Sequence, residues 1–187
     1  DHTVMSATAT TEDVRKICEE AVKYGTASVC IPPSYIKWAR ENFPSLNLCT
    51  VIGFPLGYNT TAVKVFETGN AVIDGADEID MVINLGFVKD KKFDKITEEI
   101  SAVKKACAGK LLKVIIETCY LTDDEKKELC KCVTDAGAEY IKTSTGFGTK
   151  GAELSDIEIF KNNIGENVKI KAAGGIRTKE DMENFVK

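Results

Sequence analysis

The reading of the fold turns on three consecutive segments: Glu78-Ile-Asp-Met-Val-Ile-Asn84, then the charged stretch 93–108, then Leu111-Leu-Lys-Val-Ile-Ile-Glu-Thr118. The outer two are short and rich in β-branched residues. The middle one is long enough for a helix and carries charges on one side of its apolar positions. Strand, helix, strand is a βαβ unit, and such units imply a parallel sheet. The pattern extends in both directions. Further apolar runs lie at 27–31, 47–54, 140–146 and 168–174, and residues 1–5 fit the tail of a seventh strand. Helical stretches at 11–24 and 122–136 lie between them. Thr10 or Thr11 can cap the first, and Thr122-Asp-Asp-Glu125 has the spacing of a capping box. Gly25, Gly75, Gly109 and Gly137 fall where helices should stop. The expected class is α/β, a TIM (β/α)8 barrel over residues 1–187 as one domain. A complete barrel takes about 250 residues and eight strands. The eighth strand is expected to fall outside residues 1–187.

Composition narrows the function classes. Hydrophobic residues make up 43% and charged residues 29% of the 187 residues, as in globular domains. The net charge of −4 speaks against nonspecific nucleic-acid binding, which needs a basic surface. No apolar run approaches the roughly 20 residues of a membrane span. The seven cysteines include no Cys-x-x-Cys, and His2 is the one histidine, so no zinc site is expected. Reduced thiols used as small apolar side chains suit a cytoplasmic protein.

The informative residues are charges inside strands. Strands of a parallel barrel are covered on both faces and should read Val, Ile and Leu. Asp80, Lys113, Glu117, Lys142 and Lys171 break that rule. Side chains alternate across a strand, so Asp80, Val82 and Asn84 share a face, as do Lys142 and Ser144, and Lys113, Ile115 and Glu117. If those faces point inward, carboxylates and ammoniums converge on one small cavity. Such groups either pair structurally or form a functional site. Lys169, near a strand end, fits a lysine that reaches solvent. With no metal-ligand cluster, no central histidine and no P-loop, lysine is left as the nucleophile. A second lysine nearby and burial both favour its neutral, reactive form. Two strand lysines and an aspartate supply a nucleophile, a tuning charge and a proton relay, which is equipment for carbonyl chemistry through an imine. The residues alone leave open whether Lys142 or Lys171 is the nucleophile. After the last apolar run, Gly174-Gly175-Ile-Arg177 precedes a helix beginning near Thr178, a turn whose amides can cradle a phosphate. Gly146-Phe-Gly148 is a weaker signal of the same kind.

These motifs together resemble the deoxyribose-phosphate aldolase family. The matching segments run in order over the chain: Asp1-His-Thr3, Cys49-Thr-Val-Ile-Gly-Phe-Pro-Leu-Gly57, Asn59-Thr-Thr61, Asp74-Gly-Ala-Asp-Glu-Ile-Asp-Met-Val-Ile-Asn84, Leu112-Lys-Val-Ile-Ile-Glu-Thr118, Lys142-Thr-Ser-Thr-Gly-Phe-Gly148 and Lys171-Ala-Ala-Gly-Gly-Ile-Arg177. The resemblance implies a class I aldolase that cleaves 2-deoxy-D-ribose 5-phosphate to D-glyceraldehyde 3-phosphate and acetaldehyde, with no metal or organic cofactor. It implies Lys142 as Schiff-base lysine, Lys171 as the cation beside it and Asp80 as the acid–base group. Gly146, Gly174 and Gly175 would hold the phosphate, while Thr145, Asp1 and Lys113 would line or support the pocket. A small phosphorylated sugar is the implied partner, and a homodimer the implied assembly. Two departures stand out. Ser6-Ala7 replaces the family's usual Lys-Pro, and the family's final strand and Gly-Ser-rich turn do not occur in these residues. The rival readings are another Schiff-base phosphosugar aldolase and a non-catalytic barrel that binds a phosphorylated metabolite.

Overall fold

The computed structural model describes residues 1–176 and 178–186, without the side chains of Lys179 and Val186; Arg177 of the glycine-turn motif lies outside the described residues. Strands and helices alternate: β1 (His2–Thr3), α1 (Thr11–Tyr24), β2 (Val29–Cys30), α2 (Ile36–Asn42), β3 (Leu48–Ile52), α3 (Thr61–Asp74), β4 (Glu78–Val82), α4 (Leu85–Lys89), α5 (Phe93–Ala106), β5 (Leu111–Ile115), α6 (Asp123–Asp135), β6 (Tyr140–Lys142), α7 (Leu154–Asn163), β7 (Lys169–Lys171) and α8 (Lys179–Val186). Each strand pairs in parallel with the next, in the order β1 to β7.

Alternating strands and helices build either a doubly wound sheet or a barrel, and the strand order separates the two. A doubly wound sheet reverses its strand order at a switch point, and no reversal occurs here. The sheet is also curled. Laid flat, β1 and β7 would stand about 29 Å apart, at about 4.8 Å per neighbouring pair. Instead the Asp1 carboxylate beside β1 lies 2.8 Å from the Lys171 ammonium at the end of β7. The result is the (β/α) barrel expected from the alternation, with seven strands among the described residues.

Local sequence explains the helices. The Thr10 hydroxyl accepts from the Asp13 amide and the Asp13 carboxylate accepts from the Thr10 amide, at 3.3 and 2.7 Å. Thr122 and Glu125 form the same reciprocal cap on α6. Gly25 ends α1 at φ 61° and Gly75 ends α3 at φ 108°, left-handed conformations that resist a side chain. Among the described residues no helix is long and apolar enough to cross a membrane.

Alternation along the strands sorts two layers. Ile79, Met81, Leu112, Val114 and Ile141 face the helices and join one core with Val14, Ile96, Ile100 and Val103. Burying each such aliphatic side chain contributes about 1.5–3 kcal/mol. The opposite face carries Cys30, Cys49, Val51, Asp80, Lys113 and Lys142, all buried. The strands are shorter than the apolar runs. The run 140–146 yields only β6, because the backbone beyond Lys142 leaves the ladder to build a loop. Thr143 still donates to the Lys171 carbonyl at 3.1 Å before the chain turns away.

Candidate active site

The strand register brings the charges together. Asp80 and Lys113 are partners across β4 and β5, and Lys142 and Lys171 across β6 and β7. Partners in neighbouring parallel strands present their side chains to the same face, here the inner one. The Asp80 carboxylate accepts from Lys142 Nζ at 2.5 Å through one oxygen and from Lys113 Nζ at 2.8 Å through the other. The Cys49 thiol lies 3.3 Å from the latter oxygen. Lys113 also reaches Glu78 at 2.5 Å. Lys171 pairs instead with Asp1, whose other carboxylate oxygen accepts from the Ser28 hydroxyl.

These contacts set the charges. Burial pushes the Asp80 carboxyl toward neutrality, but the Lys142 and Lys113 ammoniums outweigh it and hold its pKa below the usual carboxylate value. Lys142 and Lys113 have the mirror-image balance. Burial lowers both, yet Asp80 (together with the Cys30 and Cys49 sulfurs for Lys142, and Cys49 and Glu78 for Lys113) leaves both raised. Lys171 goes the other way. Desolvation lowers its pKa, and repulsion from Lys113 and Lys142 adds to the shift. The lysine with a depressed pKa is therefore Lys171 rather than Lys142. The simple expectation that a neighbouring lysine depresses Lys142 missed the Asp80 contact, which the sequence cannot measure.

A cavity of about 660 Å³ opens beyond the C-terminal ends of β6 and β7, the end of a parallel barrel where active sites form. Asp1, Lys142, Lys171, Thr145, Gly146, Gly174 and Gly175 all line it. Lys113 does not. It sits behind Asp80 as a fixed counter-charge. Gly146, Gly174 and Gly175 adopt φ of 86°, 80° and 78°, which bends their loops around the cavity. Gly174 is also a point of close approach, because a Cβ there would come within 3.0 Å of the Gly151 backbone. Met182 and Phe185 of α8 wall one side. Lys169 is exposed and lies over the Tyr140 ring at 5.9 Å, as its strand-end position suggested.

Two residues carry more than their sequence signals indicated. Ser144 lines the cavity, and its buried hydroxyl has no partner among the described residues. Its place two residues beyond Lys142 on the same face was the available clue. Glu117 is buried, in a left-handed conformation at φ 53°, and holds Thr145. Ligand atoms of Cys30, Cys49 and Asp80 lie within 4.8 Å of one another. That group does not suit a cation, since Asp80 already receives two ammoniums and Cys49 donates to it. The arrangement as a whole offers an amine, a carboxylate able to exchange its proton and a second amine of reduced basicity, beside glycine-rich loops.

Comparison with known proteins places this geometry. The chain is 58% identical over all 187 residues to a deoxyribose-phosphate aldolase of Clostridium botulinum (strain Alaska E43 / Type E3), of which it covers 85%. Its fold matches a solved structure described as QR15, an aldolase, with a TM-score of 0.96 at 35% identity, covering 100% of this chain and 84% of that one. It also matches the tetrameric deoxyribose phosphate aldolase from Aeropyrum pernix, with a TM-score of 0.91 at 33% identity over 100% of this chain and 80% of that one. The DeoC/LacD family aldolase model matches residues 1–187, and the chain belongs to that family.

Proposed function

We propose that the chain reversibly cleaves 2-deoxy-D-ribose 5-phosphate to D-glyceraldehyde 3-phosphate and acetaldehyde, in deoxyribonucleotide breakdown, through an imine on Lys142. The observation that carries the assignment is the Lys142–Asp80 contact of 2.5 Å at the wall of a cavity that continues to Gly174 and Gly175. Names at up to 58% identity over the whole chain support the substrate.

The chemistry follows from the contacts. Lys142 must shed a proton before its lone pair attacks C1 of the open-chain sugar, and Asp80 is the acceptor within reach. Loss of water gives a protonated imine. Removal of the C3 hydroxyl proton then lets the C2–C3 bond break, its electron pair passing toward the imine nitrogen as an enamine. Protonation at C2 and hydrolysis release acetaldehyde and free Lys142. Asp80 handles protons at the hydroxyl, through water, and Lys171 keeps positive potential on the cavity side of Lys142. Gly146, Gly174 and Gly175 receive the phosphate, Thr145 and Asp1 line the pocket, and Lys113 fixes Asp80. Neither metal nor organic cofactor has a step in this sequence.

A second reading places the imine on Lys171, because its ammonium is the one of lowered pKa. Borohydride trapping with acetaldehyde, followed by peptide mass spectrometry, separates the two. An adduct on Lys142 is expected. An adduct on Lys171 reverses the roles, and no adduct on a folded, full-length protein favours a phosphometabolite-binding barrel.

Self-association into a homodimer is part of this proposal. Its support is an apolar stripe on α3, where Val63, Phe66 and Ile73 are 49%, 72% and 83% exposed. A cytoplasmic setting is supported by seven free thiols.

A further inference from the structure

Glu117 lies between β5 and α6, outside the reaction steps just described, and three observations set it apart. It adopts φ 53° and ψ 66°, a left-handed conformation uncommon for a residue with a long side chain. It is buried, with 3% of its surface exposed. Both oxygens of its carboxylate are spent on one residue of the next loop. Oε1 accepts from the Thr145 amide at 3.1 Å, and Oε2 accepts from the Thr145 hydroxyl.

The consequence lies in the loop. The Thr145 hydroxyl, oriented by Glu117, accepts in turn from the Phe147 amide at 3.0 Å, so the backbone folds around it. Gly148 passes so close that a Cβ there would come within 3.2 Å of the Glu117 carboxyl and 2.7 Å of the Cys119 sulfur. With the amides of Thr145 and Phe147 taken, the Gly146 amide between them has no acceptor among the described residues. Gly146 lines the cavity, and a Cβ on it would meet nothing within 4 Å. Backbone strain held in place by buried hydrogen bonds is characteristic of functional loops.

We infer that Glu117 is a positioning residue: by binding both donors of Thr145 it leaves the Gly146 amide facing the cavity, where it receives the phosphate of the substrate. The carboxylate touches no reacting atom and acts through Thr145. This inference rests on the proposed substrate and adds what sets the preference for its phosphorylated form.

The test compares kcat/KM for 2-deoxyribose 5-phosphate with that for unphosphorylated 2-deoxyribose, in wild type, Glu117→Ala and Glu117→Gln. Losing a hydrogen bond to a charged group corresponds to roughly tenfold or more. Glu117→Ala is expected to lower the phosphate preference about tenfold, mainly through KM for the phosphorylated substrate. Glu117→Gln, which keeps one acceptor, should fall between. A merely structural role would lower both substrates alike and leave the ratio unchanged, which overturns the inference. A ratio above wild type in Glu117→Gln also overturns it, because the carboxylate would then act through its charge alone. If Glu117→Ala does not fold, Glu117→Gln decides. Binding of inorganic phosphate by calorimetry in the same proteins reads the loop without turnover, and unchanged affinity counts against it. Wild type inactive on 2-deoxyribose 5-phosphate would defeat the proposed substrate, while an active wild type with an unchanged ratio defeats only the role of Glu117.

Discussion

Two buried lysine–carboxylate pairs sit on opposite sides of β4, and they behave differently. Inside the barrel, Asp80 binds Lys142 and Lys113. Outside it, Lys64 of α3 binds Glu99 of α5 at 2.9 Å, with both side chains sealed from solvent. In the outer pair desolvation wins on both partners, so the Lys64 pKa falls and that of Glu99 rises. In the inner cluster attraction wins, so the Asp80 pKa falls and those of Lys142 and Lys113 rise. Inside, two ammoniums outweigh the burial of one carboxylate, and Lys113 also gains a second carboxylate in Glu78; outside, the Lys64–Glu99 contact does not offset burial on either partner. The outer pair also anchors backbone. Lys64 Nζ donates to the Val82 carbonyl at 2.8 Å, and Glu99 accepts from the Asn84 amide at 3.2 Å. It therefore fixes the end of the strand that carries Asp80. A buried charge is thus no sufficient mark of an active site. What separates the two is the cavity, which Lys142 lines and Lys64 does not.

The sharpest way to break this comparison is to alter one lysine on each side. Lys142→Arg keeps the positive charge beside Asp80 but cannot become a neutral amine at working pH. Turnover is expected to fall by about 10³-fold or more, with thermal unfolding close to wild type. Substantial residual aldol cleavage in steady-state assays would remove Lys142 from the mechanism.

Lys64→Met should invert that pattern. It leaves Glu99 buried without its partner, a situation that costs about 3–5 kcal/mol. Urea unfolding should show that loss, while kcat/KM of the folded fraction stays within about threefold. The double variant Lys64→Met/Glu99→Leu should recover much of the stability, because no lone charge remains. A double variant as unstable as the single one would mean that the bonds to Val82 and Asn84, and not the stranded charge, dominate.

Lys171→Leu makes the smallest change and reads the electrostatics alone. Repulsion from Lys142 lowers the pKa of Lys171, and repulsion between like charges disfavours the charged form of both partners. Removing the Lys171 cation should raise the Lys142 pKa further and reduce its neutral fraction at pH 7. The rate at neutral pH should drop, and the rising limb of the pH profile should move to higher pH. An unchanged profile would confine Lys171 to its contact with Asp1.

Much of this was legible because barrel strands follow a strict local rule. Asp80, Lys113, Lys142 and Lys171 each interrupt an apolar strand that should be covered on both faces, and the period of two assigns Asp80 and Lys142 to the face opposite Ile79 and Ile141. Lys64 was not legible. It lies in an amphipathic helix, where a lysine is ordinary, and its burial depends on how α3 packs against α5. Glu117 was visible as a charge near a strand end, but its left-handed backbone and its grip on Thr145 depend on a residue 28 positions away.

The sequence by itself determined the alternation of strands and helices, the capped helix starts, the glycine stops and the inward set of charges, because these depend on neighbours a few residues apart. The tertiary structure decided which charges touch. The curl that brings Asp1 to Lys171, the two ammoniums on Asp80 and the resulting division between a raised Lys142 and a lowered Lys171 arise from strand register and distance. Electrostatic interaction depends on separation and on the medium between the groups, and neither is fixed until the sheet curls around them.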